Sequence, residues 1–193
     1  MNTKKPPVIR GVLESDRAAL EKICLGEGYP DPALEEVMLR IYLTYYLDSE
    51  KEHCFIAADS ENAPEGYILC CTDFSRYEKA LTAEFPAAAG GPGTAVAEGT
   101  LAGLAPFARK YPAHLHIDLA ESSRGRGTGT SLIRKLISHL SSLGVPGLML
   151  NVAADNEGAV RFYRRNGFSM LAEGERLHAM GIRLSGPGPF PAL

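Results

Sequence analysis

Arg124-Gly125-Arg126-Gly127-Thr128-Gly129-Thr130 follows an apolar-polar alternating run, His114 to Leu119, and opens a segment from Gly127 to Leu143. In that segment Leu132, Ile133, Leu136, Ile137 and Leu140 recur at helical spacing. The stretch therefore predicts a strand, a glycine-rich loop and a helix in direct succession. Glycines let such a loop turn sharply and aim its backbone N–H groups inward. The following helix adds unpaired N–H donors and the positive end of its dipole. A diphosphate fits this arrangement, and Arg124 and Arg126 add charge-assisted contacts. The spacing G-x-G-x-G differs from the G-x-G-x-x-G of dinucleotide folds, and no Lys-Ser or Lys-Thr follows, as a phosphate loop of nucleotide hydrolases requires. A glycine-rich turn without a ligand is the plain alternative.

The charge pattern points the same way. The 193-residue chain has a formal net charge of −3. From Ser122 to Ala154 it contains no Asp or Glu, whereas Arg124, Arg126, Arg134 and Lys135 supply four positive charges, so the remainder carries −7. A local anion site in an acidic protein is expected, and nucleic acid is not, because a domain built for it shows a basic balance. Hydrophobic residues make up 45% of the chain, an ordinary globular proportion that excludes disordered and collagen-like classes. Two lysines near the N-terminus are followed by no apolar run, so no signal peptide is expected. No apolar stretch is long enough to cross a bilayer. Cys24, Cys54, Cys70 and Cys71 lie in apolar segments without C-x-x-C spacing. They are expected to be buried free thiols in a cytoplasmic protein.

Outward from the loop, Val8 to Leu13 reads as a first strand, and Ser15 or Asp16 as the cap of a helix ended by Gly26 and Gly28. Asp31-Pro32 starts a second helix, a capping side chain followed by proline, with Leu34, Val37, Met38, Ile41 and Tyr45 as its stripe. Cys54 to Ala58 and Tyr67 to Thr72 predict two strands joined by a polar turn with Asn62, Pro64 and Gly66. Residues 75–110 are rich in Ala, Gly and Pro around Gly90-Gly91-Pro92-Gly93. They read as an insertion with some helix at either end, either a surface excursion or a flap beside the substrate. Leu148 to Ala153 is a strand, Asn156 to Asn166 a helix closed by Gly167, and Phe168 to Leu171 and Ala179 to Leu184 are final strands. One domain over 1–184 and a flexible tail, 185–193, are expected. Interspersed strands and helices around a β-α-β core make the class α/β.

Two motifs carry a resemblance. Arg124-x-x-Gly127-x-Gly129 is similar to the Q/R-x-x-G-x-G/A signature with which GNAT N-acetyltransferases bind the coenzyme A pyrophosphate. Asn156-x-x-Ala159-x-x-Phe162-Tyr163-x-x-Asn166-Gly167-Phe168 is similar to their second signature. The segments "IRGVLESDRAALEKIC", "YPAHLHIDL" and "LISHLSSLGVPGLMLNV" resemble most closely the acetyltransferase-like C-terminal domain of O-GlcNAcase and its small bacterial relatives. The resemblance covers nearly the whole chain apart from 75–110 and the tail. It implies a GNAT fold (α/β in the α+β sense), a mostly antiparallel mixed sheet splayed between its fourth and fifth strands with helices on both faces. It also implies acetyl-CoA as cofactor, held by Ile117, Leu119, Arg124, Gly125, Arg126, Gly127, Thr128, Gly129, Thr130, Asn156 and Tyr163.

Transfer of an acetyl group from a thioester needs a deprotonated nucleophile, an oxyanion stabiliser and a proton for the leaving thiolate. The resemblance implies that Tyr163 supplies that proton; packing beneath its helix is the alternative. His114, His116 and Asp118 alternate along a strand and so share one face, which is expected to line a cleft. Asp118 is the candidate to accept the amine proton or to orient the acceptor, with satisfied core hydrogen bonds as its alternative role. His116 and Asp155 are further candidate substrate contacts, although capping of the helix from Asn156 is the preferred reading of Asp155. His114-x-His116-x-Asp118 resembles a fragment of a metal-binding H-x-H-x-D-H motif. Leu119 stands where the last histidine belongs, and a metal site needs about three well-placed ligands with supporting contacts. No metal is expected.

The function read from these residues is transfer of an acetyl group from acetyl-CoA to an amine by direct attack on the thioester. Its rival is a catalytically silent module of the same fold that binds coenzyme A or a protein. The acceptor is a small-molecule or protein amine, and Glu27, Asp31, Glu35 and Glu36 give its expected neighbourhood an acidic character. Neither nucleic acid nor membrane is an expected partner, and the chain is expected to act as a monomer or homodimer.

Overall fold

The computed structural model describes residues 7–29 and 31–184; the expectations placed on the first six residues and on the tail lie outside the described residues. Seven strands form one sheet in the order β1-β2-β3-β4-β5-β7-β6. They are β1 (Val8–Gly11), β2 (Phe55–Ala58), β3 (Pro64–Cys71), β4 (Ala113–Leu119), β5 (Gly147–Ala153), β6 (Ser169–Ala172) and β7 (Leu177–Arg183). The pairs β1–β2, β2–β3, β5–β7 and β6–β7 are antiparallel. β4 and β5 run parallel, and their register holds only Ala113 opposite Leu148 and His114 opposite Met149. Mixed, mostly antiparallel and parted between its fourth and fifth strands, the sheet has the expected α/β architecture, with helices flanking it. The chain divides into two compact units, one comprising residues up to Cys70 with His116–Leu136, the other Cys71–Leu115 with residues from Ile137 onward.

In the first unit, α1 (Arg17–Leu25) and α2 (Pro32–Leu39) follow β1. Asp16 lies at the start of α1, but its side chain does not cap the helix. It is buried, takes the Leu13 N–H at 2.7 Å and pairs with Arg10. Asp31 does cap α2 as expected, its Oδ1 accepting from the Ala33 N–H at 2.9 Å. The helix continues through a wide π turn, Arg40–Thr44, into α3 (Tyr45–Ser49). That turn corrects the predicted stripe. Ordinary helical spacing from buried Ile41 leads to Tyr45, whereas one extra residue in the turn carries the core face to Leu43, Tyr46 and Leu47, all buried. Pro64 and Gly66 lie in β3 rather than in the preceding turn. Asn62 makes that turn at φ +66°, a conformation asparagine tolerates. Leu132, Ile133 and Leu136 of α6 (Thr128–Ser142) are fully buried in this unit.

In the second unit, residues 75–110 are far more helical than expected. α4 (Phe74–Glu84) and α5 (Gly91–Leu104) fill most of the segment, and α5 packs on β5 and β7. Gly91-Pro92-Gly93 forms the first turn of α5, where a proline lacking its N–H costs nothing. Thr94 Oγ1 donates to the Gly90 carbonyl at 3.0 Å. Ile137 and Leu140 of α6 are buried here with Leu148, Met149, Leu150 and Met180. α7 (Glu157–Arg165) is capped by Asn156, whose Oδ1 accepts from the Ala159 N–H at 2.9 Å. Asp155 is therefore not the cap.

Candidate functional site

The glycine-rich loop leaves β4 through a short 3-10 turn, Glu121–Ser123, tied to β3 by the Ala120 N–H to the Glu65 carbonyl at 2.9 Å. Gly125 and Gly127 have φ of +73° and +81°, and no atom lies within 4 Å of where a Cβ on either would stand. Left-handed backbone beside open space is the form such a cradle takes. Residues 124–127 are exposed, while Thr128 and Gly129 are buried as α6 begins and Thr130 is half-buried. The first N–H groups of that helix have no partner within it. Arg124 Nε donates to the Leu119 carbonyl at 3.4 Å, and the Arg126 guanidinium has no protein partner among the described residues. Ser123 Oγ is fully buried without a hydrogen bond. These features fit a diphosphate: unpaired helix N–H donors and two cations beside an open backbone.

At the end of β4 the side chains of Asp118 and His116 meet on one side of the strand, His116 Nε2 donating to Asp118 Oδ2 at 2.9 Å. A carboxylate only accepts, which assigns the proton to the ring. Tyr67 of β3 donates to the same Oδ2 at 3.0 Å, so Oδ1 has no protein hydrogen bond among the described residues. The Tyr42 ring, in the π turn, lies 4.9 Å from the His116 ring, and Tyr67 lies 5.9 Å away. Cys24, in the last turn of α1, joins this cluster. Burial of the His116 ring opposes a charge. The carboxylate of Asp118, by charge and hydrogen bond, and then Cys24 outweigh it and push the imidazole up to about 10. Burial, Asp118 and Cys24 all raise the Tyr67 hydroxyl well above its usual value. Ile117 and Leu119 of the same strand are half-buried, and Leu119 packs tightly against Gly66.

His114 does not join its strand neighbours. It is 2% exposed, and its ring sits 4.3 Å from Tyr77 and 5.7 Å from Phe74 in the second unit. The expected three-residue polar face thus reduces to His116 and Asp118. Cysteine burial also departs from expectation at one position: Cys54, Cys70 and Cys71 are buried free thiols, whereas Cys24 is only partly so. Tyr163, in the second unit, is buried between Phe162 and Phe168 at ring distances of 5.2 and 5.6 Å, while Phe162 is the more exposed. Asn156 spends its side-chain oxygen on the α7 cap, and Asp155 is exposed. Of the acidic residues expected near the acceptor, Glu35 accepts from the Tyr29 N–H and Glu36 pairs with Arg40.

Cys24, Tyr42 and Tyr67 had no sequence signal. Their convergence depends on β3 lying beside β4 and on the phase of the π turn, which local spacing does not carry.

Residues 71–168, just over half of the chain, match the model of the Acetyltransferase (GNAT) family. The chain belongs to that family. As a GNAT protein it is similar over nearly its whole length to the solved structure of SsHAT, at 26% identity and a TM-score of 0.80, covering 94% of this chain and 100% of that one. It shares its fold with a phosphinothricin acetyltransferase of Sinorhizobium meliloti solved in complex with AcCoA, at 15% identity and a TM-score of 0.60, over 96% of this chain and 91% of that one. A mycothiol acetyltransferase of Corynebacterium aurimucosum is 40% identical over 57 residues. That match spans 30% of this chain and only 19% of the relative's length. No helix among the described residues is long and apolar enough to cross a membrane.

Proposed function

We propose that this GNAT protein transfers an acetyl group from acetyl-CoA to an amine. The observation that carries the reading is the loop after β4, open, left-handed at Gly125 and Gly127 and basic. In the proposal the diphosphate lies on the backbone of 125–130 with Arg124 and Arg126, and backbone groups at Ile117 and Leu119 pair with the pantetheine arm. Asn156 completes the cofactor contacts through its backbone. Acetyl-CoA supplies the activated thioester; the chain supplies orientation and proton traffic. Asp118 accepts the proton that the attacking amine must lose, or orients the acceptor through Oδ1, the oxygen that His116 and Tyr67 leave open. Tyr163 gives a proton to the departing thiolate, and His116 and Asp155 contact the acceptor. The kinship with the acetyltransferase-like domain of O-GlcNAcase belongs to the same proposal and rests on the segments at 9–24, 111–119 and 136–152. So do a cytoplasmic location and a monomeric or homodimeric state belong to it.

Thermal unfolding with and without acetyl-CoA tests the cofactor site. At a hundred times Kd a ligand adds about 2.7 kcal/mol, a rise of roughly 5–10 °C for a domain of this size. The rise should vanish in Gly127→Val, where a branched side chain meets φ +81°; an unchanged midpoint in the parent protein would remove the cofactor from the proposal. Rates test the chemistry. Asp118→Asn should lower turnover by about 10²-fold or more while coenzyme A affinity stays within a few-fold, and Tyr163→Phe should lower turnover by a similar factor. Full activity in either variant would strike that residue from its role.

A further inference from the structure

Three groups of different chemistry, the Asp118 carboxylate among them, converge at the end of β4. The Cys24 sulfur, a ring nitrogen of His116 and a carboxylate oxygen of Asp118 all lie within 4.8 Å of one another, and each residue is half-buried. We propose that these three residues form a site for one divalent transition-metal ion of the zinc class. Ligand atoms bound to such an ion at about 2.0–2.3 Å lie roughly 3–4 Å apart, so small side-chain shifts suffice. Thiolate and imidazole beside a single carboxylate select zinc or cobalt over magnesium or calcium, which prefer oxygen alone. The backbone is arranged for the task. Positions 116 and 118 project to the same side of β4, and the last turn of α1 supplies the sulfur.

The supporting contacts that an isolated histidine-aspartate pair lacks are also in place. Tyr67 donates to the Asp118 oxygen at 3.0 Å and fixes the carboxylate, and the Tyr42 ring covers His116 at 4.9 Å. His114 occupies the ligand position that the sequence motif suggested, yet it is sealed against Tyr77 and Phe74. Cys24 takes that place from a distant element. On binding, the cation displaces the proton between His116 and Asp118 and the proton of the Cys24 thiol, both of which pass to solvent. Three protein ligands leave a fourth position for water or a substrate atom. The site goes beyond the acetyl-transfer reading and stands without it. If both hold, an occupied cation engages the carboxylate that the acceptor needs, and metal and transfer exclude each other.

The test uses chelator-treated, reduced protein titrated with Co2+. Binding of one equivalent with a sulfur-to-cobalt charge-transfer band is expected. Cys24→Ser should abolish the band, and His116→Ala should weaken binding at least tenfold, with circular dichroism confirming that both variants fold. A second readout needs no variant: Zn2+ should slow alkylation of Cys24 by iodoacetamide in the parent protein, located by peptide mass spectrometry. Absence of the band, its survival in folded Cys24→Ser, or alkylation of Cys24 at the same rate with and without Zn2+ overturns the proposal. None of these readouts depends on acetyl transfer, so failure of the catalytic reading leaves a different signature.

Discussion

Arg10 and Asp16 show how one pair of side chains anchors the N-terminal strand. The guanidinium donates to both carboxylate oxygens, at 2.7 and 2.9 Å, and its Nε donates to Asn62 Oδ1 at 2.8 Å. The hydrogen bond from Arg10 holds the Asp16 carboxyl below its ordinary value, against the burial that would raise it, with the Leu13 N–H helping. A carboxylate depressed in the folded state stabilises the protein above its unfolded pKa, and that contribution is lost as pH falls through the folded one. Arg10→Ala should therefore cost roughly 1.5–3 kcal/mol at neutral pH. The gap between variant and parent should close on acidification from about pH 4 downward, as measured by urea unfolding at several pH values. A gap independent of pH would mean that packing, not charge, makes the contact valuable. His116 obeys the same electrostatics, with an acidic neighbour keeping a proton on a ring that burial alone would strip.

Elements here are joined by close approaches that single substitutions can break. A Cβ at Gly66 of β3 would stand 2.3 Å from Leu119 Cδ2 and 2.9 Å from the Asp118 carbonyl oxygen. The side chain could swing aside, but the carbonyl is backbone, so Gly66→Ala should push the end of β4 away. The unfolding midpoint is expected to fall by roughly 3–10 °C, whereas an unchanged midpoint would show that β4 yields without cost. This contact also marks where local reading of the sequence stops. The glycine loop, the α6 stripe and the Asp31 and Gly167 helix boundaries were legible because their signals lie within a few residues. Helicity across 75–110 was hidden by glycines and prolines that local propensity counts against a helix, though Pro92 sits in a first turn that tolerates it. The Asn156 cap lay one residue from the aspartate expected to provide it. The partnership of Cys24, Tyr67 and His116 was invisible because it is made by strand neighbours and a helix end far apart in the chain.

At the scale of the whole molecule the charge is unevenly divided, with the acid-free segment from Ser122 to Ala154 set in an acidic remainder. Exposed arginines that attract an anion are screened by salt over about 10 Å at 0.1 M and about 3 Å at 1 M. Coenzyme A binding should accordingly weaken several-fold between about 0.05 and 0.5 M salt by calorimetry. Affinity indifferent to salt would leave the loop backbone, rather than Arg124 and Arg126, as the source of binding. The wide turn at Arg40–Thr44 bears on how such a chain can vary. Tyr42 owes its place over His116 to the helix phase on either side of that turn. A related sequence shorter by one residue here would still wind an unbroken helix, and its aromatic would still align in any comparison of letters. It would nevertheless rotate by about 100° relative to the helical turns beyond it, presenting a different wall to whatever enters. Spacing, and not composition alone, is then a variable through which close relatives can diverge in what they accept.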